Sequence, residues 1–293
     1  MSVYPYDLTA AIVAYRSDLT ELKIAIDGCL SSSLRVQVIV VDNAASDELE
    51  ALCHISNVRY IRTGHNSGFG AAHNVALKNA SPSRYHLVLN PDIRFDQDVL
   101  PELYAFLEMN PSVGLVMPRV IYPDGSAQNL CKRLPSPIDI FAKRLLSRRL
   151  QSLCRRRLEA FELQDMDMDK VLSVPYLSGC FMFLRSKALH DAGGFDERFF
   201  MYFEDLDLTR RIHQRYSTVY YPGITIIHRH EKGSYKSARL LLCGIHSAIK
   251  YFNKWGWFFD PERDAINAGI GPLENLDLPA EQETFTGRAS SRT

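Results

Sequence analysis

Over the first ninety residues, short apolar runs alternate with stretches whose apolar positions recur at helical spacing. Runs 9–15 (TAAIVAY), 36–41 (VQVIVV), 58–62 (VRYIR) and 85–90 (YHLVLN) have the length and β-branched content of strands, and each gap can hold a helix. Leu19, Leu22, Ile26 and Leu30 mark one helix face. Leu100, Leu103 and Leu107, after Asp98, mark a second that Asn110-Pro111 ends. A β-α-β-α-β series predicts parallel strands with helices on both faces. Ligands of such sheets bind outside the carboxyl ends of the strands, so the residues just after each run are the first candidates for chemistry.

The middle of the chain is less regular. Residues 113–129 read as a strand and a turn at Pro123-Asp124-Gly125, and 138–161 as one amphipathic helix. That segment carries Lys143, Arg144, Arg148, Arg149, Arg155, Arg156 and Arg157 with no acid among them. Such a run is either a solvated helix face or a patch for anionic lipid headgroups or a pyrophosphate. Apolar runs return at 171–177 and 180–185, a helix opens near Glu204, a strand-like stretch ends at His228, and 238–254 look helical. From Asp260 the Gly, Pro, Glu and Ser content predicts a loose tail.

Composition narrows the class of protein. With 46% hydrophobic and 23% charged residues, a chain of 293 residues is globular and long enough for one large or two small domains. Its 34 basic and 34 acidic residues balance, so no global field favours a nucleic acid, and none is expected as a partner. Cys29, Cys53, Cys131, Cys154, Cys180 and Cys243 stand far apart without metal-ligand spacing, which predicts reduced thiols rather than a zinc site or a disulfide framework. Residues 1–15 lack the pattern of a secretory signal, and no apolar run approaches the ~20 residues of a membrane span. A cytoplasmic protein is therefore expected, one that can touch a membrane surface.

Three places combine chemistry with a favourable position. Gly64-His65-Asn66-Ser67-Gly68-Phe69-Gly70 follows a strand and opens a helix, where backbone N–H groups could meet a phosphate. It is not a full dinucleotide fingerprint, because His73 stands at the last glycine position and the motif follows the third strand. Asp42 and Asp92 each close a strand, so both should project from one edge of the sheet, either as turn residues or to hold a nucleotide and a divalent cation. In 193–208 (GGFDERFFMYFEDLDL) a double glycine and an aromatic run precede Glu204, Asp205 and Asp207 at a helix start. These acids either complement the helix dipole or supply a general base.

VVDNAASD at 40–47, GHNSGFGAAHN at 64–74, LNPD at 89–92 and GGFDERFFMYFEDLDLTRR at 193–211 together resemble the inverting family 2 glycosyltransferases, especially rhamnosyltransferase-like members that build bacterial surface polysaccharide. The resemblance implies an α/β GT-A fold: a Rossmann-like, mostly parallel central sheet flanked by helices, with a C-terminal helical extension. One domain, 1–259, would hold a nucleotide-binding half (about 1–120) and an acceptor-binding half (about 121–259), followed by the tail 260–293. By the same resemblance Tyr15, Asp42, Asn66, Gly68, Phe69, Gly70 and Asn90 would contact the nucleotide sugar. Asp205, with Glu204 beside it, would be the catalytic acid group acting as base. Asp92, with His228 or His230, would hold Mg2+ or Mn2+. Asn90 replaces the first acid of the family's DxD motif, and Ala14 and His73 are further departures.

The implied reaction is transfer of a sugar, L-rhamnose from dTDP-rhamnose, to a glycan or polyprenyl-linked acceptor. Another donor (UDP-N-acetylhexosamine, UDP-galactose or GDP-mannose) would use the same site, and a noncatalytic nucleotide- or glycan-binding module is the alternative of a different class. Because such acceptors sit on lipid carriers, the basic segment 143–157 is expected to hold the protein on the anionic inner face of the membrane. Ser234, Lys236 and Arg239 are further candidates for donor phosphate.

Overall fold

The computed structural model describes residues 4–44, 47–146, 152–229, 238–274 and 276–279. Its strands are β1 (Tyr6–Ala14), β2 (Val36–Asp42), β3 (Val58–Arg62), β4 (Ser83–Leu89), β5 (Ile93–Arg94), β6 (Val113–Ile121), β7 (Cys131–Lys132), β8 (Leu172–Ser173), β9 (Tyr176–Leu177), β10 (Phe181–Arg185), β11 (Ser217–His228) and β12 (Gly271–Pro272). The helices are α1 (Leu19–Leu30), α2 (Asp47–Leu52), α3 (Phe69–Asn79), α4 (Val99–Met109), α5 (Pro137–Leu145), α6 (Arg155–Phe161), α7 (Ser186–Asp191), α8 (Glu204–His213), α9 (Ala238–Trp255) and α10 (Pro261–Ala268).

β1 lies inside the sheet because both of its faces are apolar: Leu8, Ala10, Ala11 and Ile12 are all fully buried. It pairs in parallel with β2 and with β4, and β3 extends the sheet beyond β2. The register sets Ala14 opposite Asp42 and Ile12 opposite Leu89, so these strands end together and deliver Tyr15, Asn43 and Asn90 to one edge. Beyond β4 the sheet continues through β10, β6, β11, β8 and β12. β10 runs antiparallel to both β4 and β6, which makes the sheet mixed, though its larger ladders are parallel. β7 and β9 form a separate two-stranded ribbon.

α1 starts where the Asp18 carboxylate accepts the backbone N–H groups of Thr20 and Glu21, and it buries Leu22, Ala25, Ile26 and Cys29. A second cluster joins α5, α8 and α9: Leu134, Phe199, Phe203, Leu206, Ala248, Tyr251 and Phe252, with Ile140 packed on it.

Two expectations are corrected. The segment 138–161 is not one helix. Its first part, α5, is fixed by a reciprocal Ser136–Asp139 capping box and stops at Leu146, which is extended; residues 147–151 lie outside the described region, and the chain resumes as a short turn and then α6. α6 packs back on α5, with Arg157 on Asp139 and Lys143 on Glu162. The chain after Asp260 does not begin as a loose tail either. α10 follows an Asp260 N-cap, and Arg210, fully buried, makes two bonds of 2.8 Å to Asp260, a third to Glu262, and stacks on the Trp255 ring. Composition could not reveal this anchor, because its partner lies fifty residues upstream.

Candidate active site

Three acids open α8, and the structure gives each a different environment. Asp207 is fully buried and accepts from Arg211, Lys254 and the Trp255 indole, so it ties α8 to α9. Glu204 is buried, its Oε2 has no hydrogen-bond partner among the described residues, and it lies beneath Gly70 of α3. Burial, then the neighbouring Asp205, pushes its pKa well above 4.5, so Glu204 holds its proton. Asp205 is partly exposed. Its Oδ2 accepts the Gly179 N–H at 2.9 Å and its Oδ1 accepts the Leu206 N–H at 2.8 Å. Burial raises its pKa on balance, while those two N–H groups and the positive Lys132 offset part of the rise, so Asp205 is the acid of the pair with groups that favour its ionised form.

α8 is entered through an unusual turn. Tyr202 and Phe203 both have left-handed backbones, with φ of +67° and +69°. Left-handed geometry costs about 1–2 kcal/mol for each such residue. Burial of Phe203 against Tyr251 and Phe252 offsets it. Strain of this kind, immediately before the acids, fixes their direction.

The glycine-rich turn is packed against the loop that leads into α8. Gly68 has φ of +91°, and a Cβ there would stand 2.2 Å from the Phe200 carbonyl oxygen. That carbonyl accepts the Phe69 N–H at 3.0 Å, so the first donor of α3 is occupied by the loop that leads into α8. Gly70 packs on Phe195, and Asn74 exchanges hydrogen bonds with the Phe195 backbone in both directions. Asn66 caps the same turn, accepting from Gly68 N–H and from Asn43. Phe69 packs on His73, a fully buried imidazole whose pKa burial drives down to about 3. Asn66, Gly68, Phe69 and Gly70 therefore build a dock that positions Asp205.

Asp42 also turns inward. It is fully buried, with Oδ1 accepting the Ala44 N–H and Oδ2 the Tyr60 hydroxyl, each at 2.8 Å, so it holds the turn after β2. Tyr15, by contrast, is exposed at the carboxyl end of β1, with the Arg16 guanidinium over its ring.

Asp92 meets His228 because β5 and β11 pair antiparallel with Ile93 opposite His228. Asp92 Oδ1 lies 3.4 Å from His228 Nε2. Gln128 fixes the ring: its Nε2 donates to the His228 carbonyl at 2.7 Å, which turns its Oε1 toward Nδ1 at 3.0 Å. Nδ1 then carries hydrogen and Nε2 faces the carboxylate. Burial works against a positive imidazole here, but Asp92 and Cys180 outweigh it and lift the pKa to about 10. The same pair fits a divalent cation, since two ligands in neighbouring positions at 2.0–2.1 Å from Mg2+ stand about 3 Å apart. Among the described residues no group of three or more metal-ligating side chains exists, so substrate phosphates would have to complete the shell. His230, Ser234 and Lys236 lie outside the described residues.

The two acid centres are joined through Gly179-Cys180. Gly179 donates to Asp205, and the Cys180 carbonyl accepts the Asn90 N–H at 2.8 Å, two residues before Asp92. All of this lies at the carboxyl ends of β1, β2 and β4, whereas the cavity between Pro5, Leu30 and Asn57 lies at their amino ends. Two contributors escaped the sequence reading. Glu21 pairs with Arg94 and Arg229, bracketing Asp92 and His228. Lys132 stands over the Tyr176 ring opposite it in the β7–β9 ribbon. An isolated Glu in a helix and a Lys in a short strand carry no local signal.

Comparison with known proteins gives the family and the fold. The chain is 27% identical over 274 residues to the N-acetylglucosaminyl-diphospho-decaprenol L-rhamnosyltransferase of Mycobacterium tuberculosis, covering 84% of this chain and 85% of that one. It is 26% identical over 210 residues to the low-salt glycan biosynthesis hexosyltransferase Agl10 of Haloferax volcanii, covering 70% of this chain and 61% of that one. Among solved structures it superposes on GalNAc-T7 with UDP, GalNAc and Mn2+ with a TM-score of 0.62 at 12% identity, over 85% of this chain and 48% of that one. It superposes on the mannosyltransferase PcManGT of Pyrobaculum calidifontis with GDP-Man and Mn2+ with a TM-score of 0.55 at 16% identity, over 91% of this chain and 74% of that one. These likenesses give the GT-A fold, and the family model for glycosyl transferase family 2 matches residues 9–193. A mixed sheet that gathers Asp92, His228 and Asp205 at one edge is thus carried by a chain that belongs to glycosyl transferase family 2.

Proposed function

We propose that this glycosyltransferase moves L-rhamnose from dTDP-rhamnose, with inversion, to an acceptor carried on a polyprenyl diphosphate, working in the cytoplasm at the inner face of the membrane. The observation that supports the reading is the Gly179-Cys180 link: Gly179 donates to Asp205, and the Cys180 carbonyl accepts from Asn90, two residues before the Asp92 that pairs with His228. Asp205 takes the proton of the acceptor hydroxyl as that oxygen bonds to the anomeric carbon; the bond from that carbon to the donor phosphate breaks, and the diphosphate leaves with its electrons. A single base suffices for such a displacement. Glu204, buried and with its pKa raised, is the acid beside Asp205 that the displacement does not need.

Asp92 and His228 would hold Mg2+ or Mn2+, which when bound supplies charge to neutralise the leaving diphosphate. Tyr15 and Asn90, at the ends of β1 and β4, are the proposed donor contacts. The mycobacterial relative supports rhamnose and a lipid-linked acceptor. A UDP-N-acetylhexosamine, UDP-galactose or GDP-mannose donor is the competing reading, since the neighbours with UDP and GDP-Man share the fold.

A thermal-shift panel of nucleotide sugars with and without Mn2+ separates these. The largest shift is expected with dTDP-rhamnose, and its Mn2+-dependent part should vanish in Asp92→Ala. A larger shift with another nucleotide sugar would replace the donor, and Asp92→Ala responding to Mn2+ as wild type would remove the metal assignment.

A further inference from the structure

α9 uses only half of its circumference. Gly244, Ser247, Ala248, Tyr251 and Phe252 are buried against the aromatic cluster, and Ser247 donates to the Met201 carbonyl. The outward side presents Leu241, Leu242, Ile245 and Ile249, with Leu242 66% exposed. At the end of the helix Gly256, with φ of +108°, turns the chain so tightly that a Cβ would lie 2.6 Å from the Phe259 carbonyl. This turn holds Phe258 and Phe259 outward at 81% and 85% exposure, while Trp257 is pinned to Asn253 and to the Phe252 ring. Ile138 and Phe141 are exposed on α5, which packs through Ile140 on the same cluster. Of the sixteen large apolar residues exposed among the described residues, ten fall within 138–153 and 241–259, so the surface is concentrated rather than scattered.

Its charge selects the occupant. Residues 238–259 contain Arg239, His246, Lys250 and Lys254 and no acid, and of these bases Lys254 is engaged with Asp196 and Asp207. An apolar helix face that carries bases and no acid along its length, with a projecting aromatic tip, matches the boundary of a bilayer with anionic headgroups. We infer that the outward face of α9 and the Trp257-Phe258-Phe259 tip are the membrane-docking surface of this protein, taking anionic phospholipid. Of the expected basic segment, Lys143, Arg155 and Arg157 are engaged with Glu162, Glu159 and Asp139, and Arg148 and Arg149 lie outside the described residues. The inference deepens the reading of a lipid-linked acceptor and rests on it for its purpose. The aromatic cluster that seats α9 also holds Phe203 and Leu206 on either side of Glu204-Asp205, so docking would place the base toward a membrane-borne hydroxyl.

Flotation of the full chain with phosphatidylcholine vesicles, with and without phosphatidylglycerol, tests this. Wild type should float with the anionic vesicles. Phe258→Glu/Phe259→Glu and, separately, Leu242→Glu/Ile249→Glu should each lower the partition coefficient at least tenfold, while Ile55→Glu, at an exposed apolar position elsewhere, should not. Thermal melts and the nucleotide-sugar shift without lipid, retained in all three, show that fold and donor site are intact. Failure of wild type to float, variants that float equally well, or a dimer in gel filtration that these substitutions dissociate while vesicles stay unbound would overturn the docking surface. Loss of the nucleotide-sugar shift in wild type would instead count against the donor reading.

Discussion

The Gly179 N–H donates to Asp205 Oδ2 at 2.9 Å, and this bond distinguishes two adjacent acids of the same helix. Burial opposes the ionisation of both; Glu204 has a like charge against it as well, whereas Asp205 has two N–H groups and Lys132 in favour. Asp205→Asn should therefore lower kcat by about 10²–10⁴, the usual worth of a positioned base. Glu204→Gln keeps a neutral side chain of the same shape and should retain transfer within a few-fold. The two also differ in stability. A carboxyl whose folded pKa is raised contributes stability that is complete below its unfolded value of about 4.5 and is lost as pH rises through the folded value. Glu204→Gln cannot ionise, so its melting temperature should gain on wild type as pH is raised from 5. Melts and turnover of both variants across pH decide this, and equal loss of turnover in the two would remove the distinction.

Lys132 offers a second handle on the same base. Burial, and then Lys143, lower its own pKa to about 8, and its charge holds the Asp205 pKa down. Lys132→Met removes that charge, so Asp205 should ionise at higher pH and the acid limb of kcat/KM should move upward. A profile unchanged in Lys132→Met, with only the maximal rate reduced, would show that Lys132 acts through packing alone.

Gly68 tests whether the glycine turn is a dock. Its backbone, with φ of +91° and ψ of 175°, is essentially reserved to glycine, and a Cβ would meet the Phe200 carbonyl at 2.2 Å. Gly68→Ala should therefore displace the loop before α8, with a loss of roughly 1–3 kcal/mol from backbone strain before any clash. Turnover should fall more than donor affinity does. Gly64, with φ of +76° and open space around it, is the comparison, and Gly64→Ala should carry backbone strain without the loss of the dock. Calorimetry with donor titrations measures both.

Much of this was written in the order of residues. The strands at 36–41 and 58–62 and the helices at Leu19 and Asp98 appear in the structure within a few residues of their apolar periods, because a two-faced buried strand and a one-faced helix each leave a local signature. The motifs also marked the right edge of the sheet, since register forces strand ends together. What the motifs left open was direction. Asp42 and the Asn66–Gly70 turn read as ligand contacts; in the fold the Asp42 carboxylate accepts from Tyr60 and Ala44 and the Phe69 N–H donates to Phe200, partners set by tertiary packing. The basic segment read as one helix because periodicity carries no mark for the extended backbone at Leu146.

The Arg210–Asp260 pair joins the base helix to the chain that follows α9, and it is nearly fully enclosed, with side-chain exposures of 1% and 4%. Asp260 also accepts the Arg263 N–H as the cap of α10, so one carboxylate fixes both elements. Removing one partner of a buried pair leaves a charge without compensation, a loss of about 3–5 kcal/mol. Asp260→Ala should therefore destabilise the protein by about that amount. Chemical denaturation gives the figure. Because Glu262 and the Tyr251 hydroxyl also accept from Arg210, Glu262→Gln should matter far less, being half exposed. If truncation after Trp255 left stability and turnover unchanged, the segment from Asp260 would be the loose tail that its composition suggests and the ion pair would be idle.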